Sequence, residues 1–383
     1  MRFADLRPVY VVGIGLSRYK PLSDTPYVAL GLEAVRQALD DAGLAWPAVQ
    51  AAYVGSAALG VAPGRAMLRH LGATGLAITQ VENASASGSS AVRLACLDVA
   101  AGESEVALAL GIDKPGGALN LAPSKNGIER LVGPGLPFAA SFGIMADAYL
   151  KQRGAGPEVL AHVAAKNHTN AARNAYAHFQ QARTVDEVLA APPIAGVLTR
   201  LQCCPFGEGA AAVLVCSEEA LRRHGLDRKR AVRVLSSVST SEQAEAGDAW
   251  PVVELTARTT KQVLEQAAVA PADIDLVELH DAFSVEELFY VEAMGLCPPG
   301  EGGAWTVAGR TGIGGDVAIS ASGGLIAMGH PFGPTGAGQV CELTRQLRGE
   351  AGPRQHPKHR LGLAHMVGVG QVCVMHVLAA PGG

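Results

Sequence analysis

Short apolar runs alternate along the chain with stretches of helical periodicity, the pattern of an α/β fold. Val9 to Gly15 predicts a first strand. Tyr27 to Ala42 predicts a helix, with Ala29, Leu32, Val35 and Leu39 at helical spacing. Ala77 to Val81, Val106 to Ile112, Ala210 to Cys216 and Val232 to Val238 predict strands, being apolar and bounded by turn residues. Glu254 to Ala268 predicts another helix and Leu276 to Leu279 another strand. Leu361 to Leu378 predicts two strands joined through Gly368 and Gly370.

The pattern repeats. Residues 47–57 align with residues 271–282 after one insertion, pairing Val49 with Ile274 and Val54 with Leu279. Ser85–Gly88 and Gly329–Gly336 are both small-residue turns that lead into amphipathic helices. Val92, Ala95, Cys96 and Val99 share one face in the first helix; Val340, Leu343 and Leu347 do so in the second. The expected division is therefore an N-terminal half over 1–235 and a C-terminal half over 236–383. Equivalent turns would meet at a crevice, where ligand sites tend to lie. A more polar stretch, about 113–200, interrupts the first half with Gly/Pro clusters and is expected to be irregular; it reads equally as a cover for a site or as surface elaboration.

Composition narrows the function. Of 383 residues, 49% are hydrophobic and 17% charged, enough for a large core. A net charge of −4 argues against nucleic acid as a partner. No apolar run is long enough to span a membrane, and no secretory leader is apparent, so a cytoplasmic location is expected. Seven unpaired-looking cysteines fit buried free thiols in a reducing compartment.

Three places could carry chemistry. Ser85, in Asn83-Ala84-Ser85-Ala86-Ser87-Gly88, falls in a tight turn before a helix N-terminus, which suits a nucleophile or an oxyanion; serines there also serve as plain helix caps. His280-Asp281 closes a predicted strand, where a polar pair can face a crevice or merely support the fold. His330, within Gly329-His330-Pro331, suits a base near neutral pH, or sits incidentally in a Gly/Pro turn. His356 and His359, among Arg354, Lys358 and Arg360, read as a solvated basic loop. No metal-ligand spacing is present.

Taken together, these segments resemble the thiolase superfamily, and most closely the sterol-carrier-protein-type thiolases and their bacterial relatives. The resemblance spans nearly the whole chain. It is carried by Val11-Val12-Gly13-Ile14-Gly15, by Lys166 to Ala177, by Cys203-Cys204-Pro205-Phe206-Gly207-Glu208-Gly209, by Ser322-Gly323-Gly324, and above all by His280-Asp281-Ala282-Phe283 together with Gly329-His330-Pro331. It implies a five-layered αβαβα fold of two similar halves, usually dimeric. It implies acyl-CoA chemistry in lipid or aromatic acid degradation: a nucleophile attacks the keto carbon of a 3-oxoacyl-CoA, the C–C bond breaks, and CoA accepts the acyl group, or the reverse. Coenzyme A enters as substrate and no resident cofactor or metal is implied. By the same resemblance His330 activates the nucleophile, His280 helps bind the enolate oxygen, and Asn83 lies beside the acyl group. Phe142, Met145 and Met328, with the backbone of Gly324 and Gly329, are candidates to line the substrate pocket. An OB-fold/zinc-ribbon acyl-CoA-binding subunit is a partner such relatives take.

Two departures stand out. Ser85 occupies the position of the nucleophilic cysteine, and Ala282 that of the acid–base cysteine; Met366 stands near the carboxy-terminal cysteine of biosynthetic members. A hydroxyl, unlike a thiol, needs a positioned base. The serine fits a thiolase-type acyltransferase in which it replaces cysteine, naturally or by design to trap a substrate. It also fits a non-thiolytic C–C lyase, or a CoA-ester-binding subunit of a larger complex. A serine hydrolase would use Ser85 and His330 but lacks a recognisable acidic orienter. Cys297 and Cys373 are possible substitute acids, and equally core thiols.

Overall fold

The structure is a computed structural model that describes residues 3–115, 138–243, 250–369 and 372–382. Twelve strands are described: β1 Val9–Leu16, β2 Ala51–Gly55, β3 Ala77–Val81, β4 Val106–Asp113, β5 Pro193–Ala195, β6 Leu198–Thr199, β7 Gly209–Ser217, β8 Val232–Ser241, β9 Leu276–Glu278, β10 Ala318–Ile319, β11 Leu361–Gly368 and β12 Val372–Ala379. β5 and β6 form a small hairpin; the other ten hydrogen-bond in the order β10-β9-β11-β12-β8-β1-β7-β4-β2-β3.

That order is two copies of one motif. Outward from the middle, the first half reads β1, β7, β4, β2, β3 and the second β8, β12, β11, β9, β10. In each half the inner two pairings are antiparallel and the outer two parallel. The halves join where Val9, Tyr10 and Val11 pair antiparallel with Val234, Arg233 and Val232. β2 and β9, the strands of the internal repeat, hold equivalent places.

The layering follows from which faces are apolar. β4 and β7 are apolar on both faces and buried throughout, so each needs cover on two sides. The Tyr27–Ala42 helix covers the outer face of the first sheet, and Pro251–Ala267 that of the second. Between the sheets lie Ser87–Ala101 and Phe332–Leu347, the helices that follow the two small-residue turns. The result is five layers, αβαβα. The two middle helices approach closely because glycines face each other: a Cβ on Gly88 would collide with the Gly333 carbonyl, and one on Gly336 would come within 2.6 Å of the Ser89 nitrogen. Among the described residues no helix is long and apolar enough to cross a membrane.

The stretch 113–200 differs from its expected irregularity. It carries two long helices, Phe138–Arg153 and Glu158–Ala171, the β5–β6 hairpin and a short helix Val185–Leu189. Its glycines fall between elements: Gly154 and Gly156 separate the two helices rather than breaking either one. The Gly116-Gly117 and Gly133-Pro134-Gly135 clusters lie outside the described residues, as does Gly370. His356 is also not a solvated loop residue. It is 1% exposed, and its Nδ1 accepts the Gly314 N–H at 3.1 Å.

Candidate active site

The turn after β3 presents Ser85. Asn83 has φ of −150° and ψ of 45°, and Ala84 is left-handed, with φ of 49°, a conformation disfavoured for a residue with a Cβ. Ser87 ties the turn together: its hydroxyl accepts the Asn83 N–H at 2.9 Å and donates to the Ala84 carbonyl at 2.6 Å. The Asn83 side chain donates to Ser90 Oγ at 2.9 Å and so braces the turn. The serines thus divide the work. Ser87 and Ser90 hold the helix start, while Ser85 Oγ lies 3.0 Å from His330 Nε2.

His330 arrives from the other half, on the loop before Phe332–Leu347. Its Nδ1 is 2.9 Å from Thr335 Oγ1. The Thr335 hydroxyl already donates to the Pro331 carbonyl at 2.6 Å, so toward His330 it accepts. The imidazole proton is therefore on Nδ1, and Nε2 offers its lone pair to Ser85. Burial, and the neighbouring His280, push the basicity of His330 well below the ordinary histidine value, so the ring is neutral. The loop is pinned across the halves by buried Asp113, at the end of β4. Its carboxylate accepts the Gly333 N–H at 2.6 Å, the Ser56 hydroxyl at 2.9 Å and the Ala58 N–H at 2.8 Å.

His280 follows β9 and meets His330 edge-on, with ring centroids 5.4 Å apart and planes at 90°. Its Nδ1 is 3.1 Å from Glu286 Oε1. That buried carboxylate also accepts the Tyr290 hydroxyl at 3.0 Å and the Phe283 N–H at 2.8 Å. A carboxylate can only accept here, so His280 carries its proton on Nδ1. Its Nε2 has no partner among the described residues. Asp281 turns the other way: it accepts the Leu325 N–H at 2.7 Å and the Asn167 amide, and supports the loop before His330. The adjacent pair His280-Asp281 is thus split, one residue facing the site and one the scaffold.

The other residues singled out in the sequence are more dispersed. Phe142 stacks on Phe283 with centroids 4.4 Å apart, three residues from His280. Met145 is buried in the outer core of the second half. Gly324, Met328 and Gly329 line a cavity of about 20 Å³ that shares Thr335 with His330. That space suits one water rather than an acyl chain. The Met328 sulfur accepts the Asn174 amide at 3.1 Å. Ala282 and Met366 are both buried. No cysteine hydrogen-bonds to Ser85, His280 or His330 among the described residues. Cys297 and Cys373 lie in the outer core, where burial pushes their thiols up to about 12.

Three participants escape a reading of the sequence. Thr335 lies five residues past His330, inside the next helix, and only the bend at Pro331 brings it under the ring. Glu286 was legible in principle, since a carboxylate at the third position of a helix often folds back onto the N-terminus. Phe332 packs edge-on against His330 at 4.9 Å, and Phe206 against Phe332 at 6.1 Å. Phe206 is 65% exposed, so these ring contacts run from His330 out to the surface.

Comparison with known proteins agrees with this architecture. The thiolase N-terminal domain family matches residues 10–219, and the thiolase C-terminal domain-like family matches residues 236–379. The chain belongs to the thiolase family. Relatives within it include sterol carrier protein 2 of Rattus norvegicus, 36% identical over 96% of this chain and 71% of that one. Benzoylsuccinyl-CoA thiolase subunit BbsB of Thauera aromatica is 34% identical over 95% of both. Acetyl-CoA acetyltransferase of Methanothermobacter thermautotrophicus is 32% identical over 98% of this chain and all of that one. The thiolase fold is likewise shared with an Ltp2-ChsH2(DUF35) aldolase (TM-score 0.86, 23% identity, 98% of both chains). It is also shared with human mitochondrial 3-ketoacyl-CoA thiolase (TM-score 0.73, 16% identity, 98% and 99% of the two chains).

Proposed function

We propose that this thiolase-family protein is an acyl-CoA C-acyltransferase that cleaves or forms the C–C bond of a 3-oxoacyl-CoA, with CoA as the acyl acceptor. The observation that carries the reading is the contact of Ser85 Oγ with His330 Nε2 at 3.0 Å, on a ring whose other nitrogen is tied to Thr335. His330 takes the Ser85 proton as Oγ attacks the keto carbon. The pair of electrons from the broken bond becomes a thioester enolate, whose oxygen faces His280. A hydroxyl with a neutral, hydroxyl-partnered histidine is a weaker nucleophile than a thiolate, so slow turnover is expected. The open edge of β3, where Ala77, Thr79 and Gln80 are exposed, supports a homodimer extended across that edge.

The test is a panel of 3-oxoacyl-CoA esters with and without CoA. CoA-dependent appearance of two shorter CoA esters, lost in Ser85→Ala and His330→Ala, is expected. Binding of the esters with no cleavage by any of them would overturn it.

A second reading has its own support. One relative is named as a subunit, and one fold neighbour pairs its thiolase-fold chain with a second protein in an aldolase. On that reading this chain is a non-thiolytic C–C lyase or a CoA-ester-binding subunit, working with an OB-fold/zinc-ribbon partner. Activity that appears only on adding such a partner, and needs no free CoA, favours it.

A further inference from the structure

We propose that Glu286 is a positioning residue that makes His280 the second acid–base group of the site, in place of the thiol that position 282 lacks. This rests on the C-acyltransferase reading above. Each histidine has a different partner. His330 faces a neutral hydroxyl, Thr335, which fixes its tautomer but does nothing for a positive charge. His280 faces a carboxylate, Glu286, at 3.1 Å. Glu286 is 0% exposed and is held by Tyr290 and the Phe283 N–H, so it cannot turn away from the ring. Glu286 therefore fixes the His280 proton on Nδ1 and leaves its Nε2, which has no partner among the described residues, as the open position for taking up or passing on a proton.

The rest of the surroundings leave His280 as the available group. Its backbone N–H donates to His365 Nδ1 at 3.3 Å, and His365 Nε2 is engaged by Thr256 at 3.1 Å, so His365 is structural. Ala282 offers no proton. Cys204, whose N–H donates to the Ala282 carbonyl at 2.8 Å, sits close to the Glu286 and Asp281 charges, and burial with those charges drives its thiol far up, which makes it a poor proton carrier. The charged and titratable groups around His280 are therefore Glu286, Asp281, His330, His365, Tyr290 and Cys204, and of these only Glu286 bonds to its ring.

The proton inventory then closes. In the first half-reaction Ser85 Oγ attacks the keto carbon and its proton passes to His330 Nε2. The C2–C3 bond breaks with its electron pair left on C2, and C2 takes a proton that His280 relays from water through Nε2. In the second, the CoA thiol proton passes through His280 Nε2 to water as sulfur attacks the Ser85 ester, and Ser85 Oγ leaves with the proton held on His330. Each histidine ends in the state in which it began, and the products are acetyl-CoA and the shortened acyl-CoA.

Deuterium exchange isolates the step that belongs to His280. Acetyl-CoA is incubated with the protein in D2O, and uptake of deuterium at the methyl group is followed by mass. Exchange needs the acid–base group but not the nucleophile. Wild type is expected to exchange, Glu286→Gln at least tenfold more slowly, and Glu286→Asp in between. The wild-type proton spectrum should also carry a downfield His280 Nδ1–H signal that moves upfield in Glu286→Gln. Equal exchange in wild type and a folded Glu286→Gln, or no exchange by a wild type that cleaves 3-oxoacyl-CoA, would overturn the assignment. A wild type that neither cleaves these esters nor binds acetyl-CoA would instead overturn the acyltransferase reading.

Discussion

Replacing Thr335 by valine removes a hydroxyl and keeps the shape. In the wild type that oxygen accepts the His330 Nδ1 proton at 2.9 Å, and this alone places the lone pair on Nε2, 3.0 Å from Ser85. In the variant a proton left on Nδ1 is buried without an acceptor, at a cost of about 1–3 kcal/mol. The ring avoids that cost by moving the proton to Nε2, where it can no longer take one from Ser85. Returning to the competent tautomer then adds about 1–3 kcal/mol to the barrier, a loss in kcat of roughly 5- to 150-fold. KM should hardly change, because Thr335 is on the far side of the ring. Steady-state cleavage of a 3-oxoacyl-CoA measures both constants. Thr335→Ser keeps the oxygen and should keep kcat within a few-fold, while a melting curve checks the bond to the Pro331 carbonyl. A valine variant as fast as wild type, or a serine variant as slow as the valine one, would refute the tautomer assignment.

Other changes probe the same frame. Ser85→Cys places a thiol against the same base and should raise thiolysis; unchanged or absent thiolysis across a range of 3-oxoacyl-CoA esters favours the lyase or subunit reading. Gly88→Ala drives a Cβ into the Gly333 carbonyl; it should destabilise the fold by about 1–3 kcal/mol, seen in denaturant melts, and lower activity by shifting the His330 loop. Burial first, and then the Glu342 charge, hold the Glu278 carboxyl protonated well above the usual carboxylate range. The folded chain therefore binds a proton there that the unfolded chain has lost. Wild-type stability should fall with rising pH above that range, by up to about 1.4 kcal/mol per unit, relative to Glu278→Gln. Parallel pH profiles of the two melting temperatures would contradict this.

Much of the fold is legible because periodicity and repetition are local. The runs that become β1, β4 and β7 are almost wholly apolar, and the match of Val49 with Ile274 marks strands that prove equivalent across the two sheets. The stretch 113–200 misleads for the opposite reason: its turns are dense in Gly and Pro, while the helix over Phe138–Arg153 is apolar on most sides and shows little amphipathic contrast. At the site, Ser85, His280 and His330 are visible as motif positions, and the structure brings the three together. Their partners are less visible. Thr335 and Glu286 matter only through the ring nitrogen each one meets, and that depends on where a loop bends. Asp281 shows the converse: it lies beside His280 in sequence yet points into the scaffold, since neighbours in an extended segment face opposite ways.

The most direct test of the site is to find where the acyl group goes. The protein is mixed with a 3-oxoacyl-CoA in the absence of free CoA, quenched in acid within the first turnover, digested, and its peptides weighed. The result expected is an acyl group on Ser85, absent from Ser85→Ala and released as acyl-CoA when CoA is added before the quench. Cleavage of the ester with Ser85 unmodified, or with the acyl group on another residue, would contradict the assignment.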